Sequence, residues 1–205
     1  MYGLSVVTPP DDFPLTMSEA KVQSRVRLAS TSEDDLIFGL IAAATEMSEA
    51  HCTRAWLTRT LLLTVNDFPD SWRDRWGGAI ALPVQPVTAV NSVKYYDTYG
   101  VLQTLDPARW QTWLDHSPPL VATAPRTVWP TSQQGRMQPV QVEFVAGYGE
   151  AGAVPVQVKT AMKMLVTYWY ENRGDGRDPN VMSRVMGIPP AVCHLLDSVS
   201  PGSYG

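Results

Sequence analysis

The chain has 205 residues, 44% of them hydrophobic and 18% charged, with a formal net charge of −4. That length allows one large domain or two small ones, and the acidic balance argues against a sequence-independent nucleic-acid binder, which needs a basic footprint to displace phosphate counterions. Charge is sparse beside 17 Pro and 7 Trp, so part of the surface is expected to be uncharged and covered by partners.

Residues 1–14 read as an extended, Pro-rich arm. Thr16 fits an N-cap with Glu19 three residues on, the spacing of a capping box, and Leu15 is placed to staple against Ala20. A short helix is predicted over Met17–Val26, with Lys21, Arg25 and Arg27 on a solvated face rather than at a phosphate site. Thr31 or Ser32 is expected to cap a second helix, Asp34–Cys52. Its first turn holds Glu33, Asp34 and Asp35, where the dipole favours negative charge. Its apolar positions, Leu36, Ile37, Leu40, Ile41, Ala44 and Met47, follow helical spacing.

The middle third changes period. Leu57–Val65 is rich in strand formers. Asn66–Gly78 reads as a loop, and Ile80–Leu82 as a short strand stopped by proline. Val90–Tyr96 and Val101–Leu105 flank Asp97-Thr98-Tyr99-Gly100 and predict a hairpin. Arg109–Leu114 is a further candidate strand, and Val140, Val142 and Phe144 alternate with polar residues as in a half-buried strand. Gly147 and Gly149 end it. Pro155 then opens a helix whose apolar stripe is Val158, Ala161, Met162, Leu165, Val166 and Trp169. Asn172–Asp178 reads as a loop. Pro189 and Pro190 open a last helix, Ala191–Val199, before a tail of small residues.

The expected fold class is therefore α+β: two N-terminal and two C-terminal helices form a helical core, with an antiparallel β segment inserted between them. The boundaries read as 1–54 for the arm and first helices, 55–150 for the β insert, 151–199 for the last helices and 200–205 for a flexible tail.

Candidate chemistry is thin. Gly147-Tyr148-Gly149 continues to Gly152 and formally fits a dinucleotide-binding spacing, but no strand follows the helix, so a hinge is the better reading. His51-Cys52 and Cys193-His194 suggest zinc, yet adjacent residues on a helix diverge by about 100° and do not chelate naturally. Asp115-His116-Ser117 are consecutive and cannot converge as a triad. Glu171 and Asp175 as an acid pair are separated by a loop, and Arg173-Gly174-Asp175 is a chance adhesion tripeptide. No catalytic, cofactor or metal residue is assigned. Two cysteines make no disulfide framework, the apolar runs are too short to span a bilayer, and the opening lacks a signal-peptide pattern. Synthesis in the cytoplasm and no membrane role are the expectation. Tyr168, Trp169 and Tyr170 point to different sides of their helix, so core packing and subunit contact are both open, with Tyr168 and Tyr170 as the interface candidates.

Several long stretches together resemble the head–tail connector (adaptor, or head-completion) proteins of tailed bacteriophages. They are "VVTPP…PLTMSEAKVQSRV", "EDDLIFGLIAAATEMSEAHCTRAWLTRTLLLTVNDFP", "IALPVQPVTAVNSVKYYDTYGVLQTLDPARW", "VEFVAGYGEAGAVPVQVKTAMKMLVTYWYENR" and "GIPPAVCHLLDSV". Residues 114–139 and 174–186 depart from the pattern. The resemblance implies a homo-oligomeric ring, usually of twelve subunits, in the virion neck beneath the portal. Such a ring extends the DNA channel without binding DNA specifically, and it receives the next neck, stopper or tail protein. It also implies that the C-terminal end docks on the portal: Ser198, Val199, Ser200, Pro201, Gly202, Ser203, Tyr204 and Gly205. The glycine hinge would then let the β insert project from the helical body. The alternatives are another neck or tail-joining protein, or a small hydrolase or carbohydrate-binding module using Trp72, Trp76, Trp110, Trp113 and Trp129 as stacking surfaces.

Overall fold

The computed structural model describes residues 2–70, 78–172 and 188–200. The chain divides into two compact units, one of residues 1–10 and 58–147, the other of residues 11–57 and 148–205. Helices and antiparallel sheets are both present, as the period changes along the sequence predict.

The helical unit holds four described α-helices: α1 (Met17–Gln23), α2 (Asp34–Cys52), α3 (Val156–Glu171) and α4 (Pro190–Asp197). The capping box of α1 forms as its spacing dictates. Glu19 N–H donates to Thr16 Oγ1 (3.3 Å), and Thr16 N–H donates to Glu19 Oε2 (3.0 Å). Leu15 and Ala20 lie in one core with Ile37, Ile41, Ala44, Trp56, Val158, Met162, Leu165 and Leu196. Every predicted stripe position of α3 up to Val166 is buried, while Trp169 packs at the core's margin. Fully buried Trp56 keeps its polar end satisfied, donating Nε1–H to Ser48 Oγ at 2.8 Å.

Two expectations in this unit are corrected. Glu33, not Thr31 or Ser32, stands at the N-cap of α2 with no side-chain cap bond; Ser32 Oγ instead lies 3.2 Å from Ser30 Oγ, and the Thr31 carbonyl accepts from the Asp34 N–H. Lys21 does not share a solvated face with Arg25 and Arg27: it is buried, while both arginines are exposed. The chain turns sharply after α1, with Arg25 in the left-handed region at φ 58°. That turn brings the Ser30 carbonyl (2.8 Å), the Leu28 carbonyl (3.5 Å) and the Asp34 carboxylate onto the Lys21 ammonium. A buried charge is tolerable where its donors are met in this way.

The β unit holds a five-stranded antiparallel sheet in the order β1-β2-β8-β4-β5 and a three-stranded sheet in the order β3-β7-β6. The strands are β1 (Tyr2–Thr8), β2 (Arg59–Val65), β3 (Ile80–Ala81), β4 (Val87–Tyr96), β5 (Leu102–Thr104), β6 (Trp110–Trp113), β7 (Leu120–Thr123) and β8 (Val140–Ala146). The first ten residues therefore belong with the sheet and not with the helices that follow them, because β1 pairs along β2 from Tyr2↔Val65 to Val6↔Leu61. β7, inside the stretch that departs from the connector pattern, had no predicted counterpart: Leu120–Thr123 is too short to show a period.

Register makes the large sheet two-faced. Leu61, Leu63, Val142, Phe144 and Val93 are buried on one side, while Thr60, Thr64, Gln141 and Glu143 line the other. This is the alternation of a sheet with one solvated face. Gly3 sits on the polar side where a Cβ would stand 2.8 Å from Thr64 Oγ1 and 2.9 Å from Gln138 Nε2. Its missing side chain leaves room for the Thr64–Gln138 hydrogen bond.

Candidate functional site

The candidate site is a set of surfaces rather than a pocket. On α3 the three consecutive aromatics are all half-buried. Tyr170 donates its hydroxyl to the Glu33 carboxylate and packs on the core margin with Trp169, so much of it is committed within the chain. Tyr168 is outside that core margin, and its carbonyl accepts from Asn172 Nδ2 at 2.7 Å.

At the C-terminal end, Ser198 and Ser200 donate back to the carbonyls of Leu195 (2.7 Å) and Leu196 (3.1 Å), closing the last turn of α4. Val199 packs against the helical core. The first three residues of the expected docking tail thus finish the helix; residues 201–205 lie outside the described residues.

The end of the large sheet carries a preorganised hairpin. Asp97 accepts from the N–H groups of Tyr99 (2.9 Å) and Val101 (3.0 Å) and from Gln103 Nε2 (2.9 Å). The Gln103 amide, followed by the Val101 N–H, holds its carboxyl below the usual carboxylate range. Gly100 takes the positive φ the turn requires (80°), and Tyr99 projects from it almost fully exposed. Arg136 lies 3.5 Å over the Tyr96 ring, and the neighbouring Met137 is exposed.

The free edge of the same sheet is unusual in a different way. β1 carries Tyr2, Leu4, Val6 and Val7 exposed and has no charged residue or proline among its seven. The sequence signal for this edge is a short alternation, Tyr2, Leu4 and Val6 with Gly3 and Ser5, the period of a strand.

The chemical candidates do not assemble. His51 Nε2 pairs with Asp197 Oδ1 at 2.8 Å, and Cys52 donates to the Leu196 carbonyl at 3.5 Å. Burial pushes the Cys52 thiol up, away from the thiolate that a metal needs. Cys193 is directed at the Ile188 carbonyl, and no metal-ligand cluster occurs among the described residues. His116 is bonded through Nδ1 to the Pro118 carbonyl (2.8 Å). Trp110 and Trp113 fall on opposite faces of β6 by their odd spacing. Trp129 stacks on Phe68 (4.8 Å between centroids) and donates to the Gly78 carbonyl. These three do not make one stacking platform. Trp72, Trp76, Arg173, Gly174 and Asp175 lie outside the described residues. No helix among the described residues is long and apolar enough to cross a membrane.

No known family pattern matches the chain, and no curated protein does. Solved structures do. A chain from the neck of an empty gene transfer agent particle, computed with C6 symmetry, is 25% identical with a TM-score of 0.75, covering 97% of this chain and 95% of that one. A chain from the virion of the native gene transfer agent particle is 25% identical with a TM-score of 0.73, over 96% and 94%. One from the native neck, computed with C12 symmetry, is 23% identical with a TM-score of 0.68, over 97% and 94%. The chain is thus similar, over nearly its whole length, to structural components of phage-like particles.

Proposed function

We propose that this chain is a structural head–tail connector of a tailed, phage-like particle, acting as a ring in the neck, of twelve copies by the resemblance. The observation that carries the reading is the end-to-end likeness to a neck chain at a TM-score of 0.75. Neck reconstructions with C6 and C12 symmetry support a ring of copies. In the proposed assembly the ring sits beneath the portal, extends the DNA channel and offers its other side to the next neck or tail protein. The net charge of −4 suits a channel that DNA passes without being held. Tyr168 and Tyr170 are proposed at or beside the contact between copies, and the C-terminal residues at the portal.

Because Ser198, Val199 and Ser200 complete α4, the portal-docking test is a truncation at Pro201. Removing residues 201–205 is expected to weaken co-purification with the portal while leaving the thermal midpoint unchanged. Retained portal binding would place the docking surface elsewhere. The ring reading itself is tested by native mass measurement of the chain mixed with its portal: twelve copies per portal ring is expected, and a free monomer beside an unoccupied portal would reject it.

A further inference from the structure

We infer that the apolar edge strand β1 is the patch against which the neighbouring copy of this chain seats in the ring, an inference that rests on the ring reading above. The argument begins with register. Leu4 pairs with Leu63, which pairs with Val142, which pairs with Val93, so these four side chains form one row on one face of the sheet. Along that row relative exposure is 41% at Leu4, then 1%, 0% and 0%. The flanking rows repeat the pattern. Tyr2 (60% exposed) continues Val65 and buried Val140, and Val6 (54%) continues buried Leu61 and Phe144. The core face of the sheet therefore runs on past the core and ends uncovered at β1.

Natural proteins blunt a free edge with Lys, Pro, inward charges or a covering element, because unpaired N–H and C=O groups template pairing with another chain. β1 has none of the first three, and of the described strands it pairs only with β2. Its one irregularity, a register shift between Val6 and Thr8, lies at its end. The uncovered side chains amount to roughly 300 Å² of apolar surface, taking about 150–250 Å² for a whole aromatic and less for Leu and Val. A standard interface needs about 800 Å² from each partner. The stripe supplies a large part of one side, and pairing along the open edge adds main-chain hydrogen bonds to it.

A second copy is the occupant that the geometry favours. A ring contact is heterologous, one patch meeting a different patch on the next subunit. The opposite edge of this same sheet, β5, is also free among the described strands and also uncharged, Leu102-Gln103-Thr104, with Val101 and Leu102 exposed. The two edges thus match in charge and differ in sequence, as a heterologous join requires, with no like charges to hold neighbours apart.

The test places the photo-crosslinker p-benzoylphenylalanine at Leu4, and separately at Val7, in the full chain produced together with the other particle proteins. Purified particles are irradiated and resolved by mass. The expected result is an adduct of twice the chain mass from at least one of the two positions in particles that have incorporated the variant. An adduct with a different particle protein or with DNA, or no adduct at either position in such particles, overturns the inference and leaves the neck reading standing. Absence of even the unmodified chain from the particles overturns both.

Discussion

At the scale of single residues, Lys21 shows how a solvated-looking charge becomes a structural one. Its ammonium satisfies two carbonyls of the α1–α2 turn and faces Asp34. Lys21→Met keeps the volume but strands those acceptors, so the helical unit is expected to lose about 2–4 kcal/mol, read as a lower midpoint in chemical denaturation. An unchanged midpoint would mean that the turn carbonyls find water instead. Sequence spacing puts Lys21 with Arg25 and Arg27 on the assumption that the helix continues past Ser24. The left-handed Arg25 ends that assumption, and nothing in the residue type announces it.

Glu19 was legible, since its capping role follows from its distance to Thr16. The sequence could not show that Lys159 (3.4 Å) and Lys163 (3.1 Å) on α3 also converge on it. Burial raises its carboxyl, but the Thr16 N–H and hydroxyl, the Lys163 bond and the Lys159 charge outweigh this and hold it at about 2, from 4.5. A folded-state value below the unfolded one stabilises fully above the unfolded value and is lost as pH falls through the folded one. The stabilisation is therefore complete above about pH 4.5 and fades toward pH 2. Glu19→Gln is expected to lower the thermal midpoint at pH 7 and to flatten its decline over that acid range. A variant whose midpoint falls with acid as steeply as the parent's would contradict this.

Elements with a full period were readable and short ones were not. α2, α3 and β8 each repeat their apolar pattern long enough to fix the element type. The predicted face is the buried one in α3 up to Val166 and in β8, while in α2 Ile37, Ile41 and Ala44 are buried, Leu40 and Met47 are partly buried and Leu36 is exposed. β3 is two residues and β7 four, and both depend on partners distant in sequence. The arm was extended as predicted, but its partner β2 lies beyond two helices, so its membership in the sheet was invisible locally. The glycine break after β8 was legible for a physical reason: Gly147 and Gly149 hold φ of 128° and 127°, a region nearly closed to other residues. Gly147→Ala is expected to cost about 1–3 kcal/mol, measurable by thermal melting, whereas Gly39→Ala, inside α2 with open space around its Cβ position, is expected to be neutral or mildly stabilising.

For the whole molecule, the feature that bears most on the reading is the uncovered apolar surface. Among the described candidates, His116, His51 and Trp129 make local hydrogen bonds or ring contacts, and Trp110 and Trp113 lie on opposite faces of β6. The surfaces left over, the β1 edge and the Tyr99 hairpin, are of the kind that a partner covers. The sequence offers the aromatic end of α3 and the C-terminal tail as contact candidates, and both stand as proposals. The alternation of Tyr2, Leu4 and Val6 marks β1 as a strand, but its place at the edge of the sheet follows only from cross-strand register, which sequence alone does not provide.

The most direct test of the account is a reconstruction of the neck from purified particles, with this chain identified in them by mass. The account predicts twelve copies forming one closed ring between the portal and the next neck component. Particles that lack the chain, or that carry it as isolated copies away from the neck, would contradict it.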